Sequence, residues 1–225
     1  MSLVLLSIAP ALLVIIYIYY SDKYDKEPKH LLFVCFFLGA VGSILIASVS
    51  HLVVSQYFPV LENPVVWIQF FKAFIVVALV EEFSKYIFVR YFAQGHKEFD
   101  EPYDGIMYAV MVSMGFAVTE NLAYAFQGGI DTAIYRAFTA VPAHATFGII
   151  MGYYMGKAKF SRNRIKFNLI GLGLATFFHG IYDFFLFINY IPGISIGAFL
   201  SLAVGILLSQ KAIRIHQRNS HFRPK

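Results

Sequence analysis

Seven predominantly apolar runs, each about twenty residues long, recur from one end of the chain to the other and leave no room between them for a soluble domain. At about 1.5 Å per residue, a helix of that length crosses a hydrocarbon core of roughly 30 Å. Lipid offers no partner to a backbone N–H or C=O, so these runs must become helices, which satisfy their own backbone. The runs are read as residues 2–20, 31–54, 65–92, 105–126, 132–156, 167–188 and 191–210. The expected fold is all-α, a single polytopic transmembrane domain over residues 1–225 with a short basic tail at 211–225.

Composition agrees: 59% of the 225 residues are hydrophobic and 14% charged, too apolar for an ordinary soluble domain. The net charge of +5 does not indicate nucleic acid, because the basic residues alternate with the runs. Lys23, Lys26 and Lys29 follow the first run and Lys97 the third; Lys157, Lys159, Arg162, Arg164 and Lys166 follow the fifth; Lys211, Arg214, Arg218, Arg223 and Lys225 follow the seventh. By the positive-inside rule the N-terminus is outside and the C-terminus cytoplasmic, in a multi-pass protein of the cell membrane. The first run lacks a basic segment before it and is read as a retained helix rather than a cleaved signal. Cys35 is the only cysteine, which excludes a disulfide framework and a cysteine-based zinc site.

Ionisable groups inside such runs are costly and need a partner, a wet cavity or a task. Four central runs hold nearly all of them: Glu81, Glu82 and Lys85 on the third, Glu120 and Asn121 on the fourth, His144 on the fifth, His179 and Asp183 on the sixth. Small residues recur four apart beside them, in the rows Gly105-Ala109-Ser113-Ala117-Asn121, His144-Gly148-Gly152-Gly156 and Gly171-Ala175-His179-Asp183. Such rows let membrane helices approach closely, so the polar groups are expected to face neighbouring helices and share one buried chamber. His51 and Gln56, near an end of the second run, are read as interfacial. Glu81 and Lys85 stand at i,i+4 in the favourable order, either as a buried ion pair that leaves Glu82 over or with Glu81 in a catalytic role, and Asp183 is placed either to orient His179 or simply to pack.

This set permits peptide hydrolysis. A desolvated glutamate suits the removal of a proton from water, and a histidine or asparagine can donate to the developing oxyanion. Glu81 or Glu82 with His144 or His179 meets that need without a cofactor. Alternatively Glu82, Glu120, His144 and His179 could ligate zinc and leave a position for water. In a non-catalytic scaffold or an ion-coupled carrier the same residues would be interhelical glue or a proton path. Gly193-Ile194-Ser195-Ile196-Gly197 matches the serine-hydrolase elbow pattern, but that elbow needs a strand before it, and here the pattern opens an apolar run.

The chain resembles the PrsW family of intramembrane proteases, distant relatives of the type II CAAX-prenyl endopeptidases. The resemblance rests on Asp25–Pro28, Glu81-Glu82-x-x-Lys85, Phe116-x-x-x-Glu120-Asn121, His144-x-x-x-Gly148 and His179-Gly180-x-x-Asp183, in that order over most of the chain. It implies an intramembrane endopeptidase with Glu81, Glu82, Glu120, His144 and His179 as catalytic residues and Lys85, Asn121 and Asp183 in support. It favours the first glutamate as base, whereas the i,i+4 pairing favours the second. Glu120 stands where the CAAX enzymes carry a histidine. The implied substrate is a single-span membrane protein, an anti-sigma factor cut first in a relay that releases a sigma factor under envelope stress. The wider superfamily also resembles the seven-helix scaffold subunit of γ-secretase, in keeping with the topology.

Overall fold

A computed structural model describes residues 3–224; Ser2 of the first expected run and Lys225 lie outside them. The described chain is a bundle of seven helices without strands: α1 (Leu3–Ser21), α2 (Lys29–Tyr57), α3 (66–93), α4 (Pro102–Phe138), α5 (Ala140–Lys159), α6 (Arg164–Phe187) and α7 (Ile196–Arg218). Five stretches among the described residues are long and apolar enough to cross a membrane: α1, α2, the continuous Pro102–Lys159, α6 and α7. The protein is thus an all-α, polytopic membrane protein. Helix α3 falls short of that criterion because it carries Lys72, Glu81, Glu82, Lys85 and Arg90.

Helix α4 is the axis of the bundle, buried at every residue from Pro102 to Val118. Its small-residue row packs on that of α5. A side chain at Gly105 would run into the backbone of Gly152 and Gly156, and one at Gly148 would lie 2.9 Å from the Ser113 Cβ. Helix α2 crosses α4 as closely, with Gly39 against the Val112 carbonyl and Gly115 against that of Phe36. Tyr103 ties α1 to this axis by donating to the Ile18 carbonyl at 2.9 Å. Helices α2 and α3 contain π-type turns at Leu38–Ser43, Lys72–Leu79 and Val89–Ala93, the last two flanking the glutamate pair.

The boundaries differ most from expectation at the α4–α5 connection and at both ends of α7, which starts at Ile196 rather than 191. The connection expected at 127–131 is mostly helical: α4 bends at Gly129 (φ 76°, ψ −162°), a conformation open to glycine, and continues to Phe138. Helix α5 therefore starts at Ala140 rather than 132, and His144 sits in its second turn instead of at mid-span. At the other end α7 continues to Arg218, so Lys211, Arg214 and Arg218 lie on helix rather than in a tail. The Gly193–Gly197 pattern is the turn into α7, with Gly193 at φ 77° and no strand beside it. In the α1–α2 connection Glu27 is buried, and burial, followed by the charge of Asp104, pushes its carboxyl up to about 11. Burial thus favours its protonated form, in which an acidic group can sit inside the bundle.

The charge alternation predicts an orientation. Reporters fused after Lys159 or Lys225 are expected to behave as cytoplasmic and one inserted near Gly129 as external. An external C-terminal reporter would overturn the seven-span arrangement.

Candidate active site

Helices α2, α3, α4 and α6 and the start of α5 line a partly open chamber of about 1110 Å³. Its walls carry Glu81, Glu120, His144, His179 and Asp183, all proposed from the sequence, together with two groups read otherwise or passed over. His51, expected at the interface, lines the chamber, whereas Gln56 is exposed. Arg136 also lines it; its signal was an arginine inside an otherwise apolar run, masked by its distance from every motif.

The polar groups form a continuous chain. Arg136, beyond the bend at Gly129, reaches back to the part of α4 before it, its Nη2 donating to Glu120 Oε2 at 2.6 Å and its Nε to Asn121 Oδ1 at 2.8 Å, and its guanidinium lies over the Tyr124 ring. The same Glu120 oxygen lies 2.9 Å from His144 Nε2, and His144 Nδ1 is 3.2 Å from Lys85 Nζ. An ammonium can only donate, so Nδ1 carries the lone pair and Nε2–H donates to Glu120. Lys85 in turn donates to Glu82 Oε1 at 2.7 Å, and that oxygen is 2.9 Å from His179 Nδ1. The chain closes with His179 Nε2 at 3.2 Å from Asp183 Oδ2, the orienting contact expected from their spacing. The His179 ring is stacked on Phe147 with centroids 4.8 Å apart.

The glutamate pairing is the reverse of the i,i+4 reading. Lys85 bonds Glu82, at i,i+3, and stands 4.0 Å from Glu81 Oε2. Both spacings place side chains on one helix face, and His179, arriving from α6 on the Glu82 side, decides between them. Glu81 is left over: it is 4% exposed, its Oε2 has no hydrogen-bond partner, and it faces His179 Nε2 at 3.9 Å.

A polytopic helical protein that holds such a set in an intramembrane chamber has the equipment of a membrane-embedded peptidase. Residues 27–209 match the family model described as "PrsW family intramembrane metalloprotease". Among curated relatives, the chain is 37% identical over 200 residues to Protease PrsW of Geobacillus kaustophilus, covering 88% of this chain and 86% of that one. It is 39% identical over 181 residues to Protease PrsW of Bacillus subtilis, covering 80% of each chain, and 34% identical over 197 residues to that of Clostridioides difficile, covering 84% and 81%. No solved structure matches. The chain belongs to the PrsW family and is an intramembrane protease.

That family description implies a metal, and the residues fit one. Glu81, His144 and His179, all buried, each offer a ligand atom, the three within 4.8 Å of one another. A carboxylate with two imidazoles is a donor set that zinc hydrolases use, and the unpartnered Glu81 oxygen is free to ligate. The carboxylate in this trio is Glu81, whereas the sequence reading chose Glu82 and Glu120. In the structure those two are taken by Lys85 and Arg136.

Proposed function

We propose that this protein, in the cell membrane, cuts a single-span membrane protein at the chamber by means of water activated at Glu81. The observation that carries this reading is the contrast between Glu81 and the other carboxylates, Glu120 and Asp183 in the chamber wall and Glu82 fully buried behind it. The carboxylates of Glu82, Glu120 and Asp183 are engaged by cations or imidazoles, whereas that of Glu81 accepts no hydrogen bond. Glu81 takes a proton from water as the water oxygen bonds to the scissile carbonyl carbon, His179 Nε2–H turns from Asp183 to the developing oxyanion, and Glu81 returns the proton to the leaving amine as the C–N bond breaks. Lys85 and Glu82 fix His179 from its other ring nitrogen, and Arg136 fixes the Glu120 oxygen that meets His144 Nε2–H, which holds His144 in one tautomer. The resemblance to the PrsW family supports a membrane-spanning anti-sigma factor as the substrate, with this cut opening the relay that frees a sigma factor.

A second reading is favoured by the Glu81–His144–His179 trio and by the family's description as a metalloprotease. A divalent metal held by these three would polarise the scissile carbonyl and lower the pKa of its bound water toward about 7. Glu120 at His144 Nε2 and Glu82 at His179 Nδ1 would then keep the two imidazoles oriented, and metal binding would compete with protons on His144 and His179.

The test is cleavage by purified, reconstituted protein of a membrane-spanning anti-sigma factor beside an unrelated single-span protein, with and without a strong chelator, metal content being measured in parallel. Activity that survives chelation in metal-free protein establishes the glutamate mechanism. Loss on chelation with recovery on added zinc establishes the metal. Folded protein that cuts neither substrate under either condition counts against the substrate assignment and the chemistry together.

A further inference from the structure

A second pocket lies at the far end of α5 from His144. It holds about 540 Å³ and is bounded by Pro102 at the start of α4, Lys157 and Phe160 at the end of α5, Arg162 before α6, Phe167 in the first turn of α6, and His216 and Asn219 at the end of α7. Neither Lys157 nor Arg162 has a hydrogen-bond or ion-pair partner among the described residues. Other cations nearby are occupied: Lys159 donates to the carbonyls of Gln94 and His96, and Arg164 reaches Gln94. Lys157 is held at the pocket by the Phe167 ring, 4.9 Å from its Nζ. Helix α6 starts at Arg164, between two lining residues, with no side chain capping its first turn. Glu101, next to Pro102, is turned to the cap of α4, where it accepts the Asp104 amide.

The wall has unmet polar capacity as well as charge. His216 is 1% exposed and bonds the Tyr153 carbonyl through Nε2 at 2.8 Å, but its Nδ1 is buried without a partner. With Nε2 carrying the proton, Nδ1 is an acceptor. The Asn219 side chain also has no partner among the described residues and can accept through Oδ1. Two free cations beside a capless helix start call for an anion, the neutral acceptors call for a hydroxyl, and Phe160 and Phe167 supply an apolar flank.

We infer that this pocket between α5, α6 and α7 binds a phosphoglycerol group. The phosphate lies against Lys157 and Arg162, and a glycerol hydroxyl donates to Asn219 or His216. A zwitterionic ethanolamine or choline headgroup would bring a second cation among these and is disfavoured. The ends of three membrane helices place the pocket at headgroup depth, where an anionic phospholipid is the natural source; soluble glycerol phosphate shares the chemistry. The inference does not rest on the proteolytic reading, and its test uses no cleavage readout.

The full-length protein is reconstituted in vesicles of equal phosphatidylglycerol and phosphatidylcholine, extracted in mild detergent, and its retained lipids counted by native mass spectrometry. Wild type is expected to retain phosphatidylglycerol selectively. The exposed pair Lys157→Gln with Arg162→Gln should bind it about 30-fold more weakly, about fivefold for each cation removed. The control pair Lys211→Gln with Arg214→Gln, also exposed and basic but outside the pocket, should change nothing. Displacement of the retained lipid by millimolar glycerol 3-phosphate, absent with inorganic sulfate, assigns the site to the phosphoglycerol group itself; no displacement assigns it to the intact lipid. Equal retention of the two lipids by wild type overturns the proposal, as does an equal loss in the control pair or undiminished selectivity in the pocket pair.

Discussion

Glu81→Gln is expected to reduce cleavage by about 10²–10⁴-fold while leaving the protein nearly as stable as wild type, because it removes a proton acceptor whose ion-pair contacts, to Lys85 and His179, are long, at 4.0 and 3.9 Å. The Glu81 carboxylate accepts no hydrogen bond, and its nearest cation, Lys85, is satisfied elsewhere. Glu82→Gln should behave differently. It strips the charge partner from Lys85, which is 1% exposed, and weakens the contact that fixes His179. Removing one member of a buried ion pair costs about 3–5 kcal/mol, so this variant is expected to lose thermal stability in detergent together with activity. The measurements are the amount of cleaved fragment per inserted, folded protein and the unfolding temperature of each variant. If Glu82→Gln abolished cleavage at undiminished stability while Glu81→Gln cut normally, the assignment of the two glutamates would have to be exchanged. Normal cleavage by the double variant would end the glutamate mechanism, with or without a metal.

The largest effect on assembly is expected from Gly152→Leu. A Cβ at this position would strike the Gly105 carbonyl and lie 2.7 Å from the Ile106 Cα, both backbone, so no side-chain rotation relieves the clash. Overpacking of a core costs about 1–3 kcal/mol when side chains can move, and here the two helices must separate. Because α4 is the buried axis on which α1, α2 and α5 pack, separation at this point reaches the chamber through the contact of Ser113 Oγ with the His144 carbonyl at 2.7 Å. Leu186→Ala is the comparison: Leu186 is half-buried at the chamber wall, and its truncation leaves every backbone contact in place. Thermal unfolding in detergent and the yield of folded, inserted protein measure both. Equal stability of the two variants would show that the Gly148–Gly156 row does not carry the α4–α5 contact.

Much of this was legible in the sequence because the solvent is hydrocarbon. Lipid forces each apolar run into a helix, makes small residues at a spacing of four the means of close approach, and makes every intramembrane charge conspicuous. The rows of α4 and α5 do pack on each other, and Glu81, Glu120, His144, His179 and Asp183 do reach one chamber. Partner choice was not legible. On α3 alone Lys85 can reach back to Glu81 or Glu82 with equal ease, and only the arrival of His179 from α6 draws Glu82 into the ion pair and leaves Glu81 over. Arg136 stands 16 residues beyond Glu120, too far for any helical spacing; it meets Glu120 only because α4 breaks at Gly129 and turns back. His51 enters the chamber for the same kind of reason, through the packing of α2 rather than its own neighbours in sequence. Local chemistry fixed which residues had to be buried together, since each burial cost is paid residue by residue in lipid. Which oxygen meets which nitrogen was settled by four helices converging, a relation between distant parts of the chain that no spacing along it encodes.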